Sequence, residues 1–181
     1  MKTVLTVAGS DPSGGAGIQA DIKTITAHGL YATSAITALT VQNTLGVSRV
    51  EPVPVDLVAQ QIDCVVGDIR PDAVKIGMLC NAEIVQAVAQ ALAHGQAECI
   101  VIDPVMISTS GHRLLDQEAV QWMKRKLFPM AQLITPNLPE AEALCGMRVR
   151  DEAEMERAAR LLSDQTGAAV LLKGGHLAKT A

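Results

Sequence analysis

Several short clusters in this chain carry the residue types that hold or activate small molecules. The run GSDPSGGAG at residues 9–17 follows directly on the apolar stretch VLTVA. Glycines, a proline, hydroxyls and a carboxylate at a strand end shape backbone around a ligand. Within it, Gly15-Ala16-Gly17-Ile18-Gln19-Ala20 matches in letters the G-x-G-x-x-[GA] pattern of dinucleotide-binding turns. Two features speak against that use. Residues 9–14 intervene between the apolar run and the pattern, and the next apolar run ends in Gln42-Asn43 instead of an acidic residue. A P-loop is excluded, because no Lys-[Ser/Thr] pair follows the last glycine.

Asp21 stands four residues past Gly17, which places the two on one helix face about a turn apart. It reads either as a ligand contact beside the loop or as a surface carboxylate favoured by the helix dipole. The Gln42 amide offers a donor and an acceptor, which suits the edge of an aminopyrimidine. QNTLG also reads as a turn that would use Asn43 and leave Gln42 idle. Asp103 ends the run IVID, and a carboxylate at a buried strand tip needs an ion partner or a metal. A metal–phosphate site is one such setting. Asn137 and Glu140 are three residues apart on one helical face, and the same pair reads as a helix cap with an acidic first turn. Lys173, followed by Gly174 and Gly175, has the form of a phosphate contact beyond a strand. His176 reads as a solvent-facing or locally hydrogen-bonded residue.

These clusters need elements to position them. Short runs rich in Val and Ile predict strands at 3–8, 33–41, 73–77, 98–103, 131–135 and 169–173. Helical periodicity and cap residues predict helices at 16–28, 55–68, 81–94, 116–127, 137–145 and 151–166. The alternation implies an α/β domain with a mostly parallel sheet and helices on both faces. In such a sheet ligands bind beyond the carboxyl ends of the strands, and nearly every polar or Gly-rich cluster falls on that rim.

The 181 residues suit one domain. Hydrophobic residues make up 49% and charged residues 19%, a balance that fits strands buried on both faces. The net charge of −4 and the lack of a basic block argue against nucleic acid as a partner. Base-stacking platforms are also unexpected, as the aromatics are limited to Tyr31, Trp122 and Phe128. No stretch approaches the ~18 apolar residues of a membrane span, and the N-terminus does not read as a signal peptide. Cys64, Cys80, Cys99 and Cys145 form no CxxC pair, so they are expected to be reduced and mostly buried in a cytoplasmic protein.

Taken in order, AGSDPSGGAGIQADIKT, ITALTVQNTLGV, VKIGML, DPVM, LITPNLPEAE and LLKGGH cover the chain from Ala8 to His176. With these motifs the chain resembles the hydroxymethylpyrimidine/phosphomethylpyrimidine kinases, thiamine-pathway members of the ribokinase-like superfamily. The resemblance implies a three-layer α/β sandwich that uses ATP and Mg2+. Its substrates would be 4-amino-5-hydroxymethyl-2-methylpyrimidine and then the monophosphate. Carried over by motif, Gly9, Asp21, Gln42, Met78 and Val105 would line the pyrimidine site. Asp103 and Glu140 would act at the Mg–phosphate centre, with Asn137 and Lys173 toward the nucleotide phosphates. A homodimer is compatible, since relatives are commonly dimeric. Relatives continue into a Gly-rich GTGC-like segment that supplies an anion hole and a base, and residues 1–181 contain no such segment. No catalytic residue is therefore assigned within the chain, and the resemblance puts the base and the anion hole beyond Ala181. It implies a C-terminally incomplete chain with little or no kinase turnover of its own. A pyridoxal or pyridoxine kinase, a non-catalytic pyrimidine-binding domain and, from the loop pattern, a dinucleotide oxidoreductase are the competing readings.

Overall fold

A computed structural model describes residues 1–106 and 115–175. His176 and Ala181 lie outside the described residues, and so does the expected base and anion hole placed beyond Ala181. Six strands form one parallel sheet: β1 (Thr3–Ala8), β2 (Tyr31–Ile36), β5 (Ala73–Ile76), β6 (Ile100–Ile102), β7 (Ala131–Ile134) and β8 (Ala169–Val170). Their order across the sheet is β2-β1-β5-β6-β7-β8. From β1 the chain crosses to β2 on one side, and from β2 it crosses back over β1 to β5. Right-handed crossovers in opposite directions put α1 (Gly17–Ala27) on one face. The same rule puts α2 (Val55–Asp68) and α3 (Ala82–His94) on the other. The strand order reverses between β1 and β5, and a crevice outside their carboxyl ends is where such sheets bind ligands.

Apolar periodicity accounts for the core. Leu5 and Val7 of β1, Ile76 of β5 and Ile102 of β6 are fully buried. Val58 and Ile62 of α2 pack into the same cluster, with Ile84 and Leu92 of α3. The predicted helix starts are observed. Asn81 accepts from the Ile84 amide, Asp116 from Ala119 and Asp151 from Glu154. No helix among the described residues is long and apolar enough to cross a membrane.

Three expectations need correction. The strand predicted over 33–41 is two strands. β2 ends at Ile36, and β3 (Ala38–Asn43) leaves the sheet to pair antiparallel with β4 (Gly46–Pro52). The break is Thr37, whose amide still donates to Ala8 O while its hydroxyl donates to Met78 O at 2.6 Å. Its carbonyl accepts from Val53, so the chain is turned over the rim and held there. The helix predicted over 116–127 is α4 (Gln117–Trp122) followed by a π-helical turn over Met123–Leu127. The cysteines are all free, but none is buried: Cys64 and Cys99 are exposed, Cys80 and Cys145 half-buried. Cys64 lies on the α2 face turned away from Val58 and Ile62, and Cys99 precedes β6 in left-handed backbone at φ 55°.

Candidate active site

The loop at 9–17 is organised around its own carboxylate. Asp11 is 2% exposed. Its Oδ1 accepts from the Ser13 amide at 2.8 Å and the Ser13 hydroxyl at 2.7 Å. Its Oδ2 accepts from the Gly15 amide at 3.1 Å and the Ala16 amide at 2.8 Å. Burial would raise this carboxyl's pKa; the hydrogen bonds from Ser13, Ala16 and Gly15 outweigh it and hold the group below the usual range. Ala16 has no side chain with which to cap α1, so Asp11 does it from a distance. These amides are the ones a dinucleotide turn would aim at pyrophosphate. Here they are turned inward, and the G-x-G-x-x-[GA] letters do not build a phosphate cradle.

Gly17 closes the loop against the strand. Its φ is +56°, and a Cβ there would lie 2.3 Å from Gly9 O. The Ile18 amide donates to that same carbonyl at 3.0 Å. Helix α1 thus starts in contact with the backbone at the end of β1, which carries Asp21 over the sheet rim.

A cavity of about 300 Å³ opens between the carboxyl ends of β1 and β5, at the switch point of the sheet. Gly9, Asp21, Gln42, Met78, Val105 and Asp103 all line it. Met78 comes from the turn after β5 and Val105 from the turn after β6. Gln42 arrives from the β3–β4 ribbon, which folds down over the opening. Asn43 serves the turn of that ribbon, its Oδ1 accepting from the Leu45 and Gly46 amides. The turn uses Asn43 and leaves the Gln42 amide to the cavity.

Asn137, Glu140 and Lys173 do not line this cavity. Lys173 reaches its border, with Nζ 2.7 Å from Asp103 Oδ1. The Thr135 hydroxyl donates to the same oxygen at 3.1 Å. Asn137 and Glu140 form a capping box at the start of α5 (Leu138–Cys145): Oδ1 accepts from the Glu140 amide at 2.9 Å and Oε2 from the Asn137 amide at 2.8 Å. Glu140 is 4% exposed. Burial pushes its carboxyl above the usual range, and the charge of Asp103 adds to this. The Asn137 and Met106 amides and the Lys173 charge work in the opposite direction. Among the described residues no group of three or more His, Cys, Asp or Glu is placed to hold a metal ion.

Two residues absent from the sequence reading hold Asp21, and one of them, Lys75, lines the cavity. Lys75 Nζ lies 2.8 Å from Asp21 Oδ2, and the Thr6 hydroxyl donates to the same oxygen at 2.6 Å. Thr6 and Lys75 are register partners on β1 and β5, so both side chains leave the sheet on the face that α1 covers. The available signal was strand alternation. In AVKI, Val74 and Ile76 are buried on one face and Lys75 is the lone cation on the other. Asp21 is therefore no solvated surface carboxylate; its side chain is 17% exposed.

Comparison with known proteins gives consistent results. A sequence model of the family described as phosphomethylpyrimidine kinase matches residues 11–181. The hydroxymethylpyrimidine/phosphomethylpyrimidine kinase of Haemophilus influenzae is 49% identical over 176 residues, which are 97% of this chain and 65% of that protein. The crystal structure of phosphomethylpyrimidine kinase from Clostridium difficile 630 superposes with a TM-score of 0.91 at 45% identity, covering 100% of this chain and 78% of that one. The pyridoxal kinase of Staphylococcus aureus in complex with AMP-PCP and pyridoxal superposes with a TM-score of 0.84 at 36% identity, covering 97% and 63%. The chain spans about one third to two thirds of the length of the curated relatives it matches.

Proposed function

The chain belongs to the phosphomethylpyrimidine kinase family, and from that premise we propose that its rim cavity holds 4-amino-5-hydroxymethyl-2-methylpyrimidine for phosphorylation by ATP at the hydroxymethyl group, and then the monophosphate for a second transfer. The observation that carries this is the meeting of Gln42, Asp21, Met78 and Val105 around about 300 Å³. That volume suits one substituted ring, at the small end of ligand pockets. Met78 and Val105 supply apolar contact for the ring. The Gln42 amide supplies a donor and an acceptor for its edge. Gly9 brings bare backbone close: a Cβ at Gly9 would meet Met78 Cε at 2.4 Å.

Phosphoryl transfer depends on positioning and on charge neutralisation. Asp103, which lines the cavity, and the buried Glu140, which feels the charge of Asp103, are the carboxylates that would hold a magnesium ion. Mg2+ keeps several waters and is usually held by one or two carboxylates together with substrate phosphates, so this donor set fits it without an all-protein cage. The ion would neutralise charge on the transferring phosphoryl group. Lys173, paired with Asp103 at 2.7 Å, would contact the nucleotide phosphates, and Asn137 holds Glu140 in place through the capping box.

The test is calorimetry of the chain with the aminopyrimidine alcohol, with pyridoxine and with NAD. Saturable binding of the aminopyrimidine, weakened about threefold to tenfold in Gln42→Leu, is expected. Binding of pyridoxine in preference to it would move the chain to the vitamin B6 alcohols, and no binding of either alcohol would overturn the reading. ATP-dependent turnover in the same samples is expected to be little or none, and turnover at a rate usual for a kinase would overturn that expectation.

A further inference from the structure

The Asp21 carboxylate is loaded on one side only. Thr6 and Lys75 both donate to Oδ2, and among the described residues nothing donates to Oδ1. Thr6 is 0% exposed and has a single proton to give. Lys75 is 29% exposed at the side chain and pairs with Asp21 at 2.8 Å. The two donors come from adjacent strands at one register position, while the carboxylate comes from α1. A single contact would leave the carboxylate free to swing about its χ angles. Two donors on one oxygen, from a rigid sheet, prevent this. Asp21 lines the cavity, so the oxygen left over belongs to the ligand.

We infer that Thr6 and Lys75 are positioning residues that make Asp21 a one-sided acceptor, and that the cavity thereby selects a ring carrying an amino donor over an isosteric ring lacking one. This rests on the pyrimidine reading above and deepens it. An ionised carboxylate accepts and never donates. A ligand with N–H at this point completes its hydrogen bonding. A ligand with C–H there buries the oxygen without a partner, which is the more costly outcome. Sites built to hydrogen-bond a ligand group reject analogues that lack it far better than apolar sites discriminate size. The division of labour is then that Gln42 addresses one stretch of the ring edge and Asp21 the donor.

The experiment compares binding of 4-amino-5-hydroxymethyl-2-methylpyrimidine with that of 5-hydroxymethyl-2-methylpyrimidine, its analogue without the amino group. It uses the wild-type chain, Thr6→Val, Thr6→Ser, Lys75→Met and Lys75→Arg, each checked by thermal melting. Wild type is expected to favour the amino compound by about tenfold or more. Thr6→Val and Lys75→Met are expected to shrink that ratio at least threefold. Thr6→Ser and Lys75→Arg, which keep a donor, are expected to restore it in folded protein. Equal binding of both compounds by wild type overturns the inference. So does equal weakening of both by Lys75→Met, which would mean that Lys75 contacts the ligand directly. Failure of wild type to bind either compound overturns the pyrimidine reading itself, and the inference with it.

Discussion

A Cβ at Gly17 would lie 2.3 Å from Gly9 O, whereas a Cβ at Gly9 would lie 2.4 Å from Met78 Cε. The two glycines of one loop are crowded by different things, backbone in one case and the tip of a flexible side chain in the other. Gly17→Ala also meets a φ of +56°. It is expected to destabilise the protein by about 2–3 kcal/mol, read as a lower midpoint in urea. Gly9→Ala is expected to leave the midpoint nearly unchanged, because Met78 can move, and to weaken pyrimidine binding, because Met78 moves in a cavity wall. Equal midpoint losses in the two variants would refute this contrast.

Asp11 holds the loop by accepting from Ser13, Gly15 and Ala16. Asp11→Ala leaves those amides and the start of α1 without an acceptor and is expected to cost about 1–3 kcal/mol. The carboxyl titrates below its ordinary 3.8 in the folded protein. Its contribution is therefore present above pH 3.8 and lost as pH falls through the folded value. The stability gap between wild type and Asp11→Ala should narrow in acid below that point. A gap that stays constant down to pH 2 would refute the assignment.

Glu140 behaves in the opposite sense. Its folded pKa stands above the ordinary 4.5, so the folded state holds the proton longer than the unfolded state. The stability this gives is complete below pH 4.5 and is lost as pH rises through the folded value. Glu140→Gln keeps an oxygen for the Asn137 amide and cannot ionise. Its melting temperature is expected to match wild type near pH 4 and to exceed it at pH 7. A pH-independent difference between the two would show that burial does not govern this group.

Thr40 and Gln42 share the inner side of the ribbon. The Thr40 hydroxyl donates to Ser10 O at 2.7 Å and lies 3.3 Å from Gln42 Oε1. It has one proton, and the shorter contact takes it, so the Gln42 amide remains available to a ligand. Gln42→Leu is expected to weaken aminopyrimidine binding about threefold to tenfold, the worth of a hydrogen bond, without changing thermal stability. Asn43→Ala is expected to loosen the turn and lower stability by about 1 kcal/mol. Unchanged binding in Gln42→Leu would remove that residue from the site.

The sequence by itself determined the elements that local rules govern. The parallel strands follow from Val- and Ile-rich runs, and the helix starts at Asn81, Asp116, Asn137 and Asp151 follow from a side chain satisfying its own helix's amides. The order of motifs along the chain identified the family. What local pattern could not decide was where one apolar run stops being sheet. ITALTVQ reads as a single strand, because its alternation continues through Thr37. The bend there is made by Ala8, Val53 and Met78, partners remote in sequence. The inward turn of the 9–17 amides likewise depends on a carboxylate folding back on its own loop. The pairing of Lys75 and Thr6 with Asp21 needs two strands in register and a helix laid across them. Distances of this kind exist only once the chain is folded, and the cavity is made of them.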